Sequence, residues 1–281
     1  MKILITGAAG MVAGACAAHC RELGDHVTAL TRHQLDITDQ NAVEACFSSE
    51  TPDAVINCAA FTDVDSAEND PATAIRVNVD GVRNLAASAN LSGAKFVSIS
   101  TDYVFDGASG GFYTEFDEPR PLSVYGQSKL QGEMAAMAEN SDSIAVRTGW
   151  IFGLGGRNFL SRIGEFLSAG KEIKAISDAY GTPTYAIDLA RRLRELAVAD
   201  NSGIFHITNS GDGASYLDFA VKAAEITGRD PDLIHPICDS ELGRPARRPL
   251  NSKLACKRTE SLGLSPLRHW HEALESYLKN Q

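Results

Sequence analysis

The sequence has few of the features that mark disulfide-bonded, metal-thiolate or membrane proteins. Six cysteines are spread over 281 residues, and no two of them form a CxxC pair. No apolar run approaches the ~20 residues that cross a membrane. Met1 is followed at once by a predicted strand, so we expect no signal peptide. These absences predict a reduced cytoplasmic enzyme or binding protein that does not contact a membrane.

Basic residues are also scarce. The 26 Lys and Arg are outnumbered by 36 Asp and Glu, which gives a formal net charge of −10 at pH 7 and argues against nucleic acid as a partner. An anionic ligand would need a local basic cluster, and residues 243–251 supply one with three arginines among prolines. Arginine forks suit a diphosphate, and we select Arg248 for that contact. A solvated basic loop is the alternative.

The start of the chain predicts a dinucleotide-binding turn. A short apolar strand over 2–6 runs into Gly7-Ala8-Ala9-Gly10-Met11 and then into an Ala-rich helix that ends near residue 23. Gly7 would make the tight turn, Gly10 would let the backbone approach a pyrophosphate, and the helix would present free N–H groups. The third small position is Ala13, a mild departure that still permits close helix packing.

The second predicted strand, over 26–30, bears on the choice of cofactor. NAD sites often carry an acid after this strand for the ribose hydroxyls, whereas this chain has Thr31-Arg32-His33. Arg32 could face a 2′-phosphate, which favours NADPH over NADH; an exposed loop arginine is the alternative. Asp36 follows and could hydrogen-bond an adenine edge.

Two further strands end in small or polar residues that would meet at one edge of the sheet. The strand over 53–58 is followed by small residues that leave room for a ligand, and the strand over 96–100 runs into Thr101. The Thr101 hydroxyl could hydrogen-bond a reacting oxygen. The alternative is a β-branched residue that only suits the strand.

Tyr125 and Lys129 are the strongest candidates for chemistry. They lie four residues apart on a predicted helix that ends near Glu139, so they share a face and can point into one pocket. A free phenol titrates near ~10, and a nearby ammonium would lower its pKa toward the working range. An amphipathic helix with an exposed lysine is the alternative.

After Gly149 the alternation of one strand per helix is lost, as expected where a chain leaves the sheet to cover a substrate. Asn158 follows a glycine-rich loop and could reach that substrate. Residues 181–184 predict a turn before a helix led by Asp188, and 267–278 predict a final amphipathic helix. His269 and His271 would lie on different faces of that helix, so we interpret them as packing and surface residues.

The glycine turn, Thr101 and the Tyr125/Lys129 pair together resemble the extended short-chain dehydrogenase/reductase superfamily. Within it, runs that cover nearly the whole chain in the right order resemble the dTDP-4-dehydrorhamnose reductases of the RmlD type. These runs are NCAAFTDVDSAE (57–68), SISTDYVFDG (98–107), VYGQSKLQGE (124–133), RTGWIFGLGGRNF (147–159), GTPTYAIDLA (181–190), GIFHITNSG (203–211) and RPARRPLNSKL (244–254).

The resemblance implies an α/β enzyme with a Rossmann-type, doubly wound parallel sheet over about 1–150. Part of 177–198 would return to that sheet, and 151–281 would form a smaller α/β substrate-binding domain. With NADPH, or NADH as the alternative, the enzyme would reduce the C4 ketone of dTDP-4-dehydrorhamnose to dTDP-L-rhamnose. Tyr125 would protonate the alkoxide, Lys129 would hold the nicotinamide ribose, and Thr101 would donate to the oxyanion.

Two sets of binding residues follow from the residues above and from the resemblance. The cofactor set is Gly7, Gly10, Met11, Arg32, Asp36, Ile37, Ala59, Ala60, Thr62, Asn78, Tyr125 and Lys129. The substrate set is Thr101, Asp102, Phe105, Trp150, Asn158 and Arg248. For Trp150, a core aromatic is the alternative.

The chain departs from its resemblance at two points. Some relatives bind Mg²⁺ through glutamates, one of them just after the glycine turn, where this chain has Gly14-Ala15-Cys16, so we expect no metal. A homodimer is compatible with the sequence. Many relatives carry a Trp after the GIFH strand, where this chain has Ser215-Tyr216, which would change how the sugar is held.

Two other functions are compatible with the same motifs. One is a related 4-ketoreductase or epimerase acting on another nucleotide sugar, since epimerases share the Tyr/Lys pair. The other is a non-catalytic regulatory subunit, which the intact Thr101, Tyr125 and Lys129 disfavour.

Overall fold

The structure, a computed structural model, describes residues 1–280. Its strands are β1 (Lys2–Thr6), β2 (His26–Leu30), β3 (Ala54–Asn57), β4 (Lys95–Thr101), β5 (Ile144–Thr148), β6 (Ile151–Phe152), β7 (Ile173–Ile176), β8 (Tyr180–Gly181), β9 (Thr184–Tyr185), β10 (Gly203–His206), β11 (Asn209–Ser210), β12 (Ala214–Ser215), β13 (Ile234–Ile237) and β14 (Leu267–His269).

Its α-helices are α1 (Met11–Glu22), α2 (Gln40–Glu50), α3 (Val64–Asn69), α4 (Pro71–Ile75), α5 (Gly81–Ser92), α6 (Val124–Glu139), α7 (Ile163–Ser168), α8 (Ala186–Val198), α9 (Tyr216–Thr227), α10 (Lys257–Ser261) and α11 (Trp270–Leu278). A π-helical turn, Arg76–Asp80, joins α4 to α5. No helix among residues 1–280 is long and apolar enough to cross a membrane.

A six-stranded sheet forms the centre of the molecule. Its spatial order is β2-β1-β3-β4-β5-β10, and every neighbouring pair is parallel. The strands are short apolar runs because both faces are covered; every residue of β3 is buried, for example. The strand order reverses between β1 and β3, so a crevice for a ligand is expected at their carboxyl ends.

Helices cover both faces of this sheet. On one face, α1 and α8 bury small and aliphatic side chains against the strands, such as Cys16 and Leu193. On the other face, α2, α5 and α6 bury a second cluster that includes Phe47 and Leu85. The predicted doubly wound parallel sheet is therefore confirmed.

Two segments from the second half of the chain return to the sheet. Helix α8 packs against α1, and it lies within the 177–198 segment that we expected to return. Strand β10 pairs with β5 and adds the sixth strand, although it lies beyond that segment. The edge of the sheet thus depends on residues far from the first domain in sequence.

The remaining second half builds its own core. Helices α7, α9 and α11 enclose an aromatic cluster in which Phe152 contacts Tyr185, Phe219 and Tyr277. The final helix begins later than the pattern predicted, because 267–269 form β14, which pairs with β11. His269 then caps α11: its ring nitrogen Nδ1 accepts from the His271 N–H at 3.2 Å.

Candidate active site

A cavity of about 820 Å³ opens at the carboxyl ends of the central strands. The loops after β1, β3, β4 and β5 all contribute to its wall, as expected for a parallel sheet with this strand order. Ten of the site residues predicted from the sequence line this cavity: Gly10, Met11, Ala60, Thr62, Thr101, Asp102, Tyr125, Lys129, Trp150 and Asn158.

The glycine turn lies at one end of this cavity. Gly7 has φ +70°, and a Cβ atom there would lie 2.7 Å from the backbone nitrogen of Ala59, so only glycine fits. Its carbonyl accepts from the Gly10 N–H at 2.8 Å, which closes the turn. Gly10 is the N-cap of α1, and no side chain caps that end. The first N–H groups of α1 therefore remain available to an anion.

Tyr125 lies in the first turn of α6. The Ser123 hydroxyl caps this helix by accepting from the Gly126 N–H at 3.2 Å. A Cβ at Gly126 would lie 2.3 Å from the Tyr103 carbonyl oxygen, so a larger residue would push the helix away from the end of β4. Close packing at Gly126 brings Tyr125 to the Thr101 hydroxyl, with which it is hydrogen-bonded.

The electrostatics of Tyr125 differ from the prediction. Burial raises the pKa of its phenol to about 12; the Thr101 hydrogen bond opposes that rise and the Asp102 carboxylate adds to it. Lys129 is not among the groups that shift this pKa, and its ammonium donates to the Ile99 carbonyl at 2.7 Å. The prediction of a lowered phenol pKa was therefore wrong for this structure.

Lys129 is buried and lies above an ion pair. Burial lowers the pKa of its ammonium to about 8, and the Glu133 carboxylate opposes that shift. Glu133 accepts three hydrogen bonds from Arg147 on β5: Nη2 lies 2.7 Å from Oε2, and Nε lies 3.0 Å from Oε1 and 3.2 Å from Oε2. The Ser100 hydroxyl also donates to Glu133. Lys129 thus retains a nearby negative charge that offsets part of its desolvation.

Asp102 is a buried acid on the cavity wall. Its Oδ1 accepts from the Thr101 hydroxyl at 3.1 Å. Burial raises the pKa of this carboxyl to about 6, and hydrogen bonds from Ser252 and Thr101 both act to lower it. Gly149 lies directly against it: a Cβ there would be 2.3 Å from the carboxyl carbon. A buried acid on the wall of a cavity is suited to accept a hydrogen bond from a ligand.

Several predicted cofactor residues lie outside the cavity wall. The Arg32 side chain is 70% exposed, with Nε 3.6 Å from Asp36. Asp36 Oδ1 accepts from the Thr38 N–H and hydroxyl, which holds the turn and lowers the pKa of the Asp36 carboxyl. Ile37 is buried in the core against Gly81.

Ala59 and Asn78 contribute through the loops they shape. The Ala59 backbone lies against Gly7, as described, and its N–H donates to Asn57 at 3.1 Å. Asn78 is fully buried; it exchanges hydrogen bonds with the Phe61 backbone and donates to Ser128 Oγ at 2.9 Å. It therefore ties the loop after β3 to α6, behind the cavity.

Two predicted substrate contacts do not face the cavity. Phe105 is fully buried, with its ring stacked on Tyr113 at 4.2 Å, so its prediction as a substrate contact was wrong. Arg248 is held in a two-point ion pair with Asp65, at 3.0 and 2.7 Å, and does not line the cavity. Arg244 does line it, and its Nε is buried without a hydrogen-bond partner among the described residues.

Sequence reasoning missed three kinds of site residue. Glu133 follows Lys129 by four residues on the same helix, so its spacing could have identified it. Arg244 belonged to the recognised arginine cluster, and it is the member of that cluster that lines the cavity. Lys174 also lines the cavity, and only the tertiary fold brings it there; Tyr216, which the sequence marked as a departure that bears on the sugar, lines it too. No group of three or more His, Cys, Asp or Glu among residues 1–280 could hold a metal ion.

Comparison with known proteins relates this geometry to a family. A family model described as the RmlD substrate binding domain matches residues 1–281. A dTDP-4-dehydrorhamnose reductase from Streptomyces griseus is 40% identical over 277 residues, which are 96% of this chain and 91% of that protein. A dTDP-4-keto-6-deoxy-D-glucose reductase from Streptomyces niveus is 36% identical over 272 residues, which are 96% of this chain and 94% of that protein.

A solved structure is similar over the full length. The dTDP-4-dehydrorhamnose reductase of Bacillus anthracis, crystallised in complex with NADP, superposes with a TM-score of 0.95 at 32% identity and covers 100% of both chains. The family model and the relatives above 30% identity agree along nearly the whole sequence. This chain therefore belongs to the RmlD family.

Proposed function

We propose that this chain is an NADPH-dependent oxidoreductase that reduces the C4 ketone of dTDP-4-dehydrorhamnose to dTDP-L-rhamnose. One observation carries the proposal: Thr101, Tyr125 and Lys129 meet in the cavity that begins at the glycine turn. The names of the relatives above supply the class of substrate, and the NADP complex of the Bacillus anthracis enzyme supplies the cofactor.

The residues fit a dinucleotide cofactor. Gly7 leaves room for a close approach of backbone, and the uncapped amino end of α1 can bind a pyrophosphate. Arg32 is exposed and adjacent to Asp36, where it could bind a 2′-phosphate, so NADPH is preferred over NADH in this proposal. When bound, the nicotinamide supplies the hydride.

The protein's own residues handle the proton. With its pKa raised to about 12, Tyr125 carries its proton at neutral pH and can donate it to the C4 alkoxide. The Thr101 hydroxyl lies beside the same phenol and donates to Asp102 in the free protein; turned toward the substrate oxygen, it would stabilise the developing negative charge. Lys129, a buried cation below pH about 8, holds the ribose near this pair.

The test follows NADPH oxidation with dTDP-4-dehydro-L-rhamnose generated in situ. We expect Tyr125→Phe to lose about 100- to 10,000-fold in turnover, as removal of a general acid commonly does. Tyr180→Phe is the matched control, because Tyr180 is 42% exposed and does not line the cavity. Turnover by Tyr125→Phe at the wild-type rate would remove Tyr125 from the mechanism.

A different sugar is the second candidate. The Streptomyces niveus relative is named for a dTDP-4-keto-6-deoxy-D-glucose, so the same chemistry on another hexose is compatible with this family. A panel of dTDP- and UDP-linked 4-keto sugars would separate the two, and interconversion of a UDP-hexose without net NADPH use would indicate an epimerase. Tight NADPH binding without turnover on any of them would indicate a regulatory subunit.

The remaining expectations stay predictions within this proposal. Residues 1–150 would bind the cofactor, together with the returning segments, and the later residues would bind the sugar nucleotide. The cytoplasmic location, the homodimer and the lack of a metal also stay predictions. Analytical ultracentrifugation with and without Mg²⁺ would test the last two.

A further inference from the structure

Trp150 adopts a backbone conformation that is unusual for a large residue. It follows β5 and precedes β6, and its φ is +50°, in the left-handed region that favours glycine. Such a conformation persists only where neighbouring residues hold it, and it often occurs at functional sites. The indole lines the proposed substrate cavity. The groups that hold this ring in place are therefore of interest.

Two residues contact the indole from different parts of the second half of the chain. The Tyr216 ring stacks on it, with centroids 4.0 Å apart and an angle of 30° between the planes. Gly181 lies at its edge, since a Cβ there would be 2.0 Å from Trp150 Nε1. Phe159 packs edge-on against Tyr216 at 5.8 Å and supports it from behind. Trp150, Tyr216 and Phe159 all line the cavity, and we call these three rings the aromatic wall.

The aromatic wall is connected to the reacting end of the cavity. Asp102, Tyr125 and Tyr216 line the same cavity as Trp150. Asp102 also lies against Gly149, the residue before Trp150. A shift of the indole would therefore change the space next to the group that protonates the substrate.

We propose that Tyr216 is a positioning residue that, together with Gly181, fixes the Trp150 indole as the wall of the sugar site and so determines which 4-keto hexose the cavity accepts. The proposal rests on the proposed function for the identity of the sugar. The placement of the indole by Tyr216 and Gly181 rests on their contacts alone. The ring of Tyr216, and not its hydroxyl, makes the contact that matters.

The experiment compares Tyr216→Leu, Tyr216→Phe and Gly181→Ala. Loss of the stacked ring should raise KM for dTDP-4-dehydro-L-rhamnose by up to about tenfold, with a smaller change in kcat, because aromatic pairs contribute modestly and Tyr125 is untouched. Tyr216→Phe keeps the ring and should keep the wild-type KM. Gly181→Ala should resemble Tyr216→Leu, since the added methyl group displaces the indole. In both Tyr216→Leu and Gly181→Ala, the activity on a C4-keto hexose of another stereochemistry should rise relative to the activity on dTDP-4-dehydro-L-rhamnose.

A second readout needs no turnover. The sequence has two tryptophans, and Trp270 is buried in the second core, so the emission of Trp150 can be isolated by subtracting the spectrum of Trp150→Phe. Tyr216→Leu and Gly181→Ala should shift this emission, and Tyr216→Phe should not. If the wild type shows no turnover, the proposed function fails, while the emission spectra still test the placement of the indole.

Three results would overturn the inference. The first is a wild-type KM and emission in Tyr216→Leu. The second is an equal loss in Tyr216→Phe and Tyr216→Leu, which would assign the effect to the hydroxyl. The third is a wild-type emission and KM in Gly181→Ala. Circular dichroism checks that each variant is folded. If Tyr216→Leu is unfolded, the comparison of Gly181→Ala with Tyr216→Phe tests the inference instead.

Discussion

The ion pair beneath Lys129 offers a test of how the site is built. The side chains of Glu133 and Arg147 are each 4% exposed, and Ser100 adds a hydrogen bond to the three that Arg147 donates to Glu133. Glu133→Gln would leave a buried guanidinium without its counter-charge, and breaking such a pair by removing one partner costs about 3–5 kcal/mol. For a chain of this size, that corresponds to a fall of roughly 10 °C in the melting temperature.

The same substitution changes the chemistry of Lys129. Glu133 is the main group that raises the pKa of Lys129 against the lowering by burial, so its loss should move that pKa below about 8. A lysine with a lowered pKa is charged only below it. We therefore expect the alkaline loss of NADPH binding to begin at lower pH in Glu133→Gln, measured by titrating the cofactor from pH 6 to about pH 9.

A double variant separates stability from charge. Glu133→Gln with Arg147→Met removes both charges and should recover most of the melting temperature, since replacing a whole buried pair is often neutral. It should keep the shifted pH dependence, because the carboxylate is still absent. Glu139→Gln, on the exposed end of the same helix, is the control and should change neither. Either of two results would refute this reasoning. One is a melting temperature that falls by less than about 2 °C in Glu133→Gln; the other is a loss of NADPH binding at the same alkaline pH in the variant and the wild type.

Two further predictions concern single residues. Gly7→Ala should raise the Kd for NADPH at least about 100-fold by calorimetry, because the added Cβ would meet the Ala59 backbone at 2.7 Å with φ at +70°, and a wild-type Kd would contradict this. Asp102→Asn should raise the melting temperature above pH 7 but not near pH 4. The folded pKa of about 6 lies above the unfolded value of 3.8, so the carboxylate costs the folded state up to about 3 kcal/mol once ionised. A difference that does not vary with pH would count against a buried, ionising Asp102.

The features that the sequence predicted correctly are those that depend on residues close together in the chain. Strands β1, β3, β4 and β5 are brief, mostly buried runs, as expected for a parallel sheet covered on both faces. Tyr125 and Lys129 share a helix face by spacing, and Thr101 ends a neighbouring strand, so their meeting at one cavity followed from topology.

Long-range partners decided the predictions that were wrong or incomplete. Arg248 was selected for a diphosphate, but it pairs with Asp65, which is 183 residues away. Phe105 follows a short 3₁₀ turn at 102–104 that directs its ring into the core against Tyr113. Sequence spacing predicts which residues lie close together along one helix or strand. It does not predict which residue, distant in the sequence, contacts a long or aromatic side chain.

The raised pKa of the Tyr125 phenol fits the proposed reaction better than the lowered pKa that was expected from the sequence. Reduction of a ketone needs a proton donor, and a phenol whose pKa is raised to about 12 is fully protonated when the substrate arrives. A phenolate, which a lowered pKa would favour, suits the reverse oxidation. The Thr101 hydrogen bond opposes the effect of burial, and a general acid transfers its proton best when its pKa is not far above the working pH. A phenol with the ordinary pKa of about 10 would also carry its proton at neutral pH, so burial reinforces the state that the reduction needs, and Thr101 limits the rise.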